Sequence, residues 1–220
     1  MNLNSEQISD YNGKRIGDHK ERFDFLAAQL SKNNIDVEHI ISKVQKLQIE
    51  VPSWALGTGG TRFGRFPGGG EPASLLQKIE DVGVINAISK ACNAISLHIP
   101  WDIPSDAEAI KSALKERGLS INSVNSNTFQ DQPDQKHSYK FGSLSHTDKS
   151  TRKQAIDHNI EVIKYGEMLN ANTLTVWLAD GSCFPGQSDF RTAYKNTLSS
   201  LEEIYEKVPN DWQLLLEYKP

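Results

Sequence analysis

The chain has 220 residues, with 24 Lys+Arg against 28 Asp+Glu and a formal charge of −4. That balance excludes a generic nucleic-acid binder, which shows a basic excess or stripe, and a hydrophobic fraction of 37% is enough to build a core. One domain is expected at roughly 100–200 residues per domain. An eight-unit β/α barrel takes about 250, so the length leaves a sandwich, an open α/β sheet, or a barrel that lacks part of itself.

The first fifty residues are polar and free of proline. Two helical patterns lie in them, around Lys20–Leu30 with Phe23, Leu26 and Leu30 on one side, and around Val37–Leu47 with Val37, Ile40, Ile41, Val44 and Leu47. They read as a helical extension, residues 1–50, packed on a main domain of residues 51–220. Val51–Gly57 reads as a strand, followed by a glycine-rich loop to Gly70. Pro72 suits the first position of a helix that continues through Leu75, Ile79, Val82 and Ile85. Ala94–Pro100 is the next strand. Ser105 with Glu108 resembles a capping box for a helix ending near Gly118. Leu119–Val124 is a third strand, and a long polar stretch runs on to Lys149. Thr151 with Gln154 reads as the start of a helix carrying Ile156, Ile160 and Ile163. Thr173–Ala179 is a strand, Phe190 to Ile204 a helix stopped by Pro209, and Trp212–Pro220 a last strand. Apolar strands alternating with amphipathic helices indicate parallel βαβ units. Periodicity leaves two closures open, a doubly wound sheet or part of a barrel.

Both of those architectures gather their sites at the carboxyl ends of the strands. The residues there are His98, with Trp101 and Asp102 just beyond, then Asn125 and Asn127, then Trp177 and Asp180, and finally Glu217 and Lys219. Glu217 and Lys219 are two apart on a strand and share a face. They read either as an internal ion pair or as a metal-binding carboxylate beside an ammonium that polarises a substrate oxygen. Asp102 either orients the His98 ring, as carboxylates behind a working imidazole do, or opens the following loop. Trp177 reads as core or as the wall of a sugar site. The loop Gly57–Gly70 has neither the dinucleotide nor the nucleotide-triphosphate glycine spacing. Its Phe63 and Phe66 suit a lid or a subunit contact. His19, His39, His137, His146 and His158 fit no compact ligand spacing, and His158 is expected to face solvent. Cys92 and Cys183 read as reduced packing residues. No stretch approaches the roughly 18 apolar residues of a membrane span. The N-terminus carries no apolar signal core. The expectation is a cytoplasmic protein with no nucleic-acid and no membrane partner.

The segments VPSWALGTGGTRFGRFPGGGEP, SLHIPWD, NSNTF, HSYKFGSLSH, LTVWLADGSCFPGQS and LLLEYKP together resemble the bacterial L-rhamnose isomerase and sugar isomerase group. That group belongs to the xylose-isomerase-like (β/α)8 TIM barrels, and the similarity runs in order from about Val51 to Pro220. The resemblance implies a metal-dependent aldose–ketose isomerase that moves a hydride between carbons 1 and 2 of an opened sugar, with two divalent ions, commonly Mn²⁺. It implies Glu217 as a metal ligand, Lys219 and His98 as catalytic residues, and His98, Trp177, Lys219 and Phe63 as substrate contacts. Phe63 would reach into a neighbouring subunit's site, within a homotetramer. The group's remaining metal ligands come from strands six to eight, so the expectation is a barrel truncated after strand five and inactive by itself. Two other readings stay open: a sugar epimerase of the same barrel superfamily, and a non-catalytic binding or assembly fragment.

Overall fold

The computed structural model describes residues 3–57, 69–178 and 189–218. Two helices come first, α1 (Ser5–Lys32) and α2 (Val37–Val44). There follow β1 (Glu50–Pro52), α3 (Leu75–Ser89), β2 (Ala94–Ile99), α4 (Ala107–Glu116), β3 (Ser120–Ser126), α5 (Lys149–Met168), β4 (Thr173–Leu178), α6 (Phe190–Tyr205) and β5 (Gln213–Tyr218). The five strands form one sheet in the order β1-β2-β3-β4-β5, and every pairing is parallel. This settles the closure that periodicity leaves open. A doubly wound sheet reverses its strand order at a switch point, whereas strands laid down in sequence order are the pattern of a barrel. The fold is five consecutive strands of a (β/α)8 barrel, preceded by two helices.

The core lies between the sheet and its outer helices. Ile95, Leu97 and Ile99 alternate along β2 and are fully buried, as are Val124, Leu174 and Val176 on the neighbouring strands. Ile79 and Val82 of α3 and Val162 of α5 meet them. The opposite face of the strands carries Ser96, Asn125, Thr175 and Glu217, and this inner face is polar. In β3 the register slips between the pairs Ile95↔Ile121 and Leu97↔Val124. The extra residue lets Asn122 and Ser123 both look inward, as bulges do. At Gly166 a Cβ would come within 2.9 Å of Val124 Cγ2 and strike the Trp212 ring, so glycine is what allows α5 to lie this close to the sheet.

Several element boundaries differ from expectation. The first strand stops at Pro52, and Ser53–Ala55 turns into a single 3₁₀ turn instead of continuing to Gly57. Pro72 does not open α3; Ser74 caps it by accepting from the Gln77 amide at 3.3 Å, while Gln77 accepts from the Ala73 amide at 2.7 Å. Asp106, not Ser105, caps α4, taking the amides of Glu108 and Ala109 at 3.0 Å each. Asp148, not Thr151, caps α5. Gln154 instead reaches out of the helix and clasps both backbone groups of His137. The helix α1 is longer than its hydrophobic pattern suggests and buries no residue completely.

The polar stretch between β3 and α5 is an ordered loop. Asp131 accepts from the Tyr139 amide and the Ser138 hydroxyl, both at 2.6 Å. Ser200 of α6 donates to the Leu144 carbonyl at 2.9 Å. Leu144 and Tyr139 are buried beneath this loop. His158 does not face solvent as expected: its Nε2 accepts the Asn127 amide at 3.0 Å, which fastens the end of β3 to α5.

Candidate active site at the carboxyl ends of the strands

At the end of β2, His98 is completely buried, and aromatic rings surround it. Trp101 lies 4.0 Å away between centroids, Trp177 4.8 Å, and Trp54 and Phe129 each 5.7 Å. The rings also touch one another, Trp54 edge-on to Trp177 at 5.4 Å and Phe129 on Trp177 at 5.0 Å. Edge-to-face and tilted pairs at these distances are the favoured arrangements of aromatic quadrupoles. The strand ends of β1 to β4 thus contribute one polar–aromatic box. His98 and Trp177 are brought together as the sequence suggests. The sequence does not single out Trp54 and Phe129: Trp54 falls inside the strand expected over Val51–Gly57 but stands in the turn after β1, and Phe129 follows β3 in the polar stretch.

Asp102 has a different role from orienting the His98 ring. Its carboxylate accepts the His98 backbone amide at 2.8 Å, the Ser53 hydroxyl, and the Lys78 ammonium at 2.7 Å. Its own amide closes the turn onto the His98 carbonyl at 2.9 Å. Asp102 is 1% exposed and Lys78 5%. One buried ion pair therefore ties the end of β1, the end of β2 and the first turns of α3 together, and it fixes the backbone on which Trp54, His98 and Trp101 stand.

Below the box, the inner face opens into a groove of about 870 Å³ lined by Trp54, Ser96, Asn125, Thr175, Leu215 and Glu217, among others. Glu217 pairs in register with Trp177, placing a carboxylate beside the aromatic wall. Lys219 and Phe63 lie outside the described residues, as do Asp180 and Cys183. Cys92 is a half-buried free thiol. No three His, Cys, Asp or Glu side chains come together as a metal site among the described residues. Glu217 is one carboxylate, whereas divalent ions take about four to eight ligands. The described residues do not by themselves make up a metal centre. A second groove, about 1070 Å³, lies outside the barrel between α5 and the preceding loop. Two pairs of charged groups line it, Lys153 on Asp157 at 2.5 Å and His158 beside Glu161 at 3.7 Å. No helix among the described residues is long and apolar enough to cross a membrane.

A sequentially ordered parallel sheet with outer helices and polar and aromatic groups at its strand ends places the chain among the (β/α)8 barrels, with the ligand-facing end of five strands on display. By sequence it is similar to sugar isomerases. It is 49% identical over 197 residues to a probable sugar isomerase of Rhizobium meliloti (strain 1021), covering 90% of this chain and 46% of that protein. It is 45% identical over 217 residues to a probable sugar isomerase of Mesorhizobium japonicum, covering 99% of this chain and 50% of that one. The chain therefore spans about half the length of the curated relatives it matches. No family model matches it. Solved structures of similar fold include an L-ribulose 3-epimerase, at a TM-score of 0.54 and 13% identity over 77% of this chain and 48% of that one. A D-allulose 3-epimerase from Methylomonas sp. in complex with D-allulose matches at 0.52 and 14% identity, over 77% and 50% of the two chains.

Proposed function

We propose that the full-length protein carrying this chain is an aldose–ketose isomerase acting on L-rhamnose or a related sugar, moving a hydride between carbons 1 and 2. The observation that carries the reading is the box around His98, with Glu217 in register beside Trp177. A sugar presents rows of C–H groups and rows of hydroxyls. Indole and phenyl faces suit the first, and a few placed polar groups suit the second. The similarity to two probable sugar isomerases supports the same class.

In this reading His98, Trp177 and Phe129 hold and orient the opened sugar and keep water away from the reacting carbons. His98 and Lys219 act on the substrate oxygens, Lys219 through an ammonium near the oxygen of carbon 1, where fixed positive charge favours developing negative charge. Phe63 of a neighbouring subunit closes the site, within a homotetramer. A divalent ion, Mn²⁺ by resemblance, would be held by Glu217 together with groups outside the described residues, and would supply Lewis-acid polarisation. In the same reading the protein works in the cytoplasm.

The test is conversion of aldoses by the full-length protein, with and without added Mn²⁺, using substrate deuterated at carbon 2. Retention of the label in the ketose is expected. Exchange of the label with water would replace the hydride shift by proton transfer, the chemistry of a ketose epimerase with paired acid/base groups. No conversion of any aldose would overturn the proposal. Lys219→Met is expected to lower kcat by about 10²–10³-fold, the usual effect of removing one charge-stabilising donor.

A further inference from the structure

The inner face of the sheet carries a hydrogen-bond chain whose direction is fixed by chemistry. The Trp177 indole Nε1–H donates to Asn125 Oδ1 at 3.2 Å. An indole nitrogen donates only. Asn125 gives its two amide hydrogens to Ser96 Oγ and to the Leu97 carbonyl, at 2.8 Å each. The amide cannot be turned over, because that would set carbonyl against carbonyl and N–H against N–H. Ser96 Oγ is thereby an acceptor from Asn125, and its own proton goes to Ser123 Oγ, 2.7 Å away. Ser123 donates onward to Glu50 Oε2 at 2.9 Å. A donor-only ring on β4 and an acceptor-only carboxylate on β1 thus bound one head-to-tail series. Asn125, Ser96 and Ser123 are 3%, 6% and 7% exposed, so water does not compete strongly for these groups. Aligned bonds in such surroundings polarise and reinforce one another.

We propose that Trp177 meets the sugar with its ring face alone, and that Asn125, Ser96, Ser123 and Glu50 are positioning residues that hold the indole in that attitude. The inference rests on the sugar-site reading above. With its N–H committed to Asn125, Trp177 has no donor to offer a substrate hydroxyl. The part of the sugar seated on it is a C–H face, and the hydroxyls are sorted by other groups of the site. The neighbouring rings close off alternative attitudes, since Trp54, His98 and Phe129 all lie within 5.4 Å of Trp177, centroid to centroid.

The experiment is hydrogen exchange of the indole protons in full-length protein labelled with ¹⁵N-tryptophan, with the Trp177 signal assigned from Trp177→Phe. Slow exchange is expected in the unaltered protein. Asn125→Leu should speed it about tenfold, the factor that corresponds to losing one ordinary hydrogen bond. Ser123→Ala, which removes a hydroxyl bonded to Ser96 and Glu50 and not to Trp177 or Asn125, should also speed it by several-fold and raise the sugar KM more than it lowers kcat. Ser123→Ala deletes a single oxygen and keeps the test readable if Asn125→Leu does not fold; unchanged far-ultraviolet dichroism confirms an intact fold. Exchange at the original rate in Ser123→Ala would overturn the chain. A sugar-induced shift showing that the Trp177 N–H leaves Asn125 for the ligand would overturn the face-only contact. If no sugar binds at all, the functional reading falls and with it the ring-face contact, while the exchange rates still decide whether the chain positions the indole.

Discussion

Asp102 is the residue on which the greatest number of strand-end groups depend. Its carboxylate is fully buried and receives an ammonium, a hydroxyl and a backbone amide from three elements. Replacing one member of a buried pair leaves the other charge uncompensated, which costs about 3–5 kcal/mol. Asp102→Asn is therefore expected to lower stability by that amount in urea unfolding of the full-length protein. The double variant Asp102→Asn/Lys78→Met should recover part of the loss, because no lone charge remains. A single-variant cost below about 1 kcal/mol, the level of an exposed pair, would sink this account. The sequence shows His98, Trp177 and Glu217 as site candidates because a polar or aromatic residue closing an apolar strand is visible locally. It does not show why they stand where they do. Lys78 is 24 positions from Asp102, and Asn125 is 52 from Trp177. Such partners meet only when neighbouring strands and helices are assembled, and no spacing rule encodes that meeting.

At the level of the elements, the existence and order of five strands and the four helices between them are legible from periodicity, while the first residues of the helices are not. Ser105 and Thr151 both have a capping-box partner three residues on, yet in each case a nearby aspartate takes the position. A carboxylate accepts helix amides and also favours the positive end of the helix dipole, which a neutral hydroxyl does more weakly. The Thr151 hydroxyl, and then its amide, hold the Asp148 carboxyl below the usual carboxylate value. The Thr192 hydroxyl, followed by the Arg191 amide, does the same to Asp189 at the start of α6. A carboxyl whose pKa is depressed on folding stabilises the native state above its unfolded pKa, and that stabilisation is lost as pH falls through the folded value. The melting temperature of Asp148→Ser/Asp189→Ser, whose caps do not titrate, should lie below that of the unaltered protein at neutral pH. The two curves should converge in acid. Parallel curves from neutral pH down through the carboxylate range would show that these caps contribute nothing to the acid sensitivity.

On the scale of the whole molecule, the two edges of the sheet differ. The β1 edge is three residues long and ends in proline, a length and a residue that discourage added pairing. The β5 edge is six residues long and exposes apolar side chains: Leu215 and Leu216 are each 48% exposed and Tyr218 79%. Beside it, α6 leaves Tyr194 and Tyr205 more than half exposed. A long, apolar strand with free ladder groups is a template for another strand, and proteins cover or charge such edges. The 220-residue chain produced alone is therefore expected to bind a hydrophobic dye and to sediment as associated species, whereas the full-length protein should bind far less dye per chain. Leu216→Lys, placing a charge in the middle of the edge, should shift the 220-residue chain back toward monomer with little change in helical dichroism. A dye-silent monomer at tens of micromolar would mean that β5 is protected in some other way. Association that persists undiminished in Leu216→Lys would move its origin to another exposed apolar surface, such as the α1 and α2 helices with Phe25, Leu26, Ile40 and Val44. The two outcomes separate the β5 edge from the helical arm as the source of association, and the edge strand is favoured because it combines unpaired ladder groups with exposed apolar side chains that a charge would disrupt.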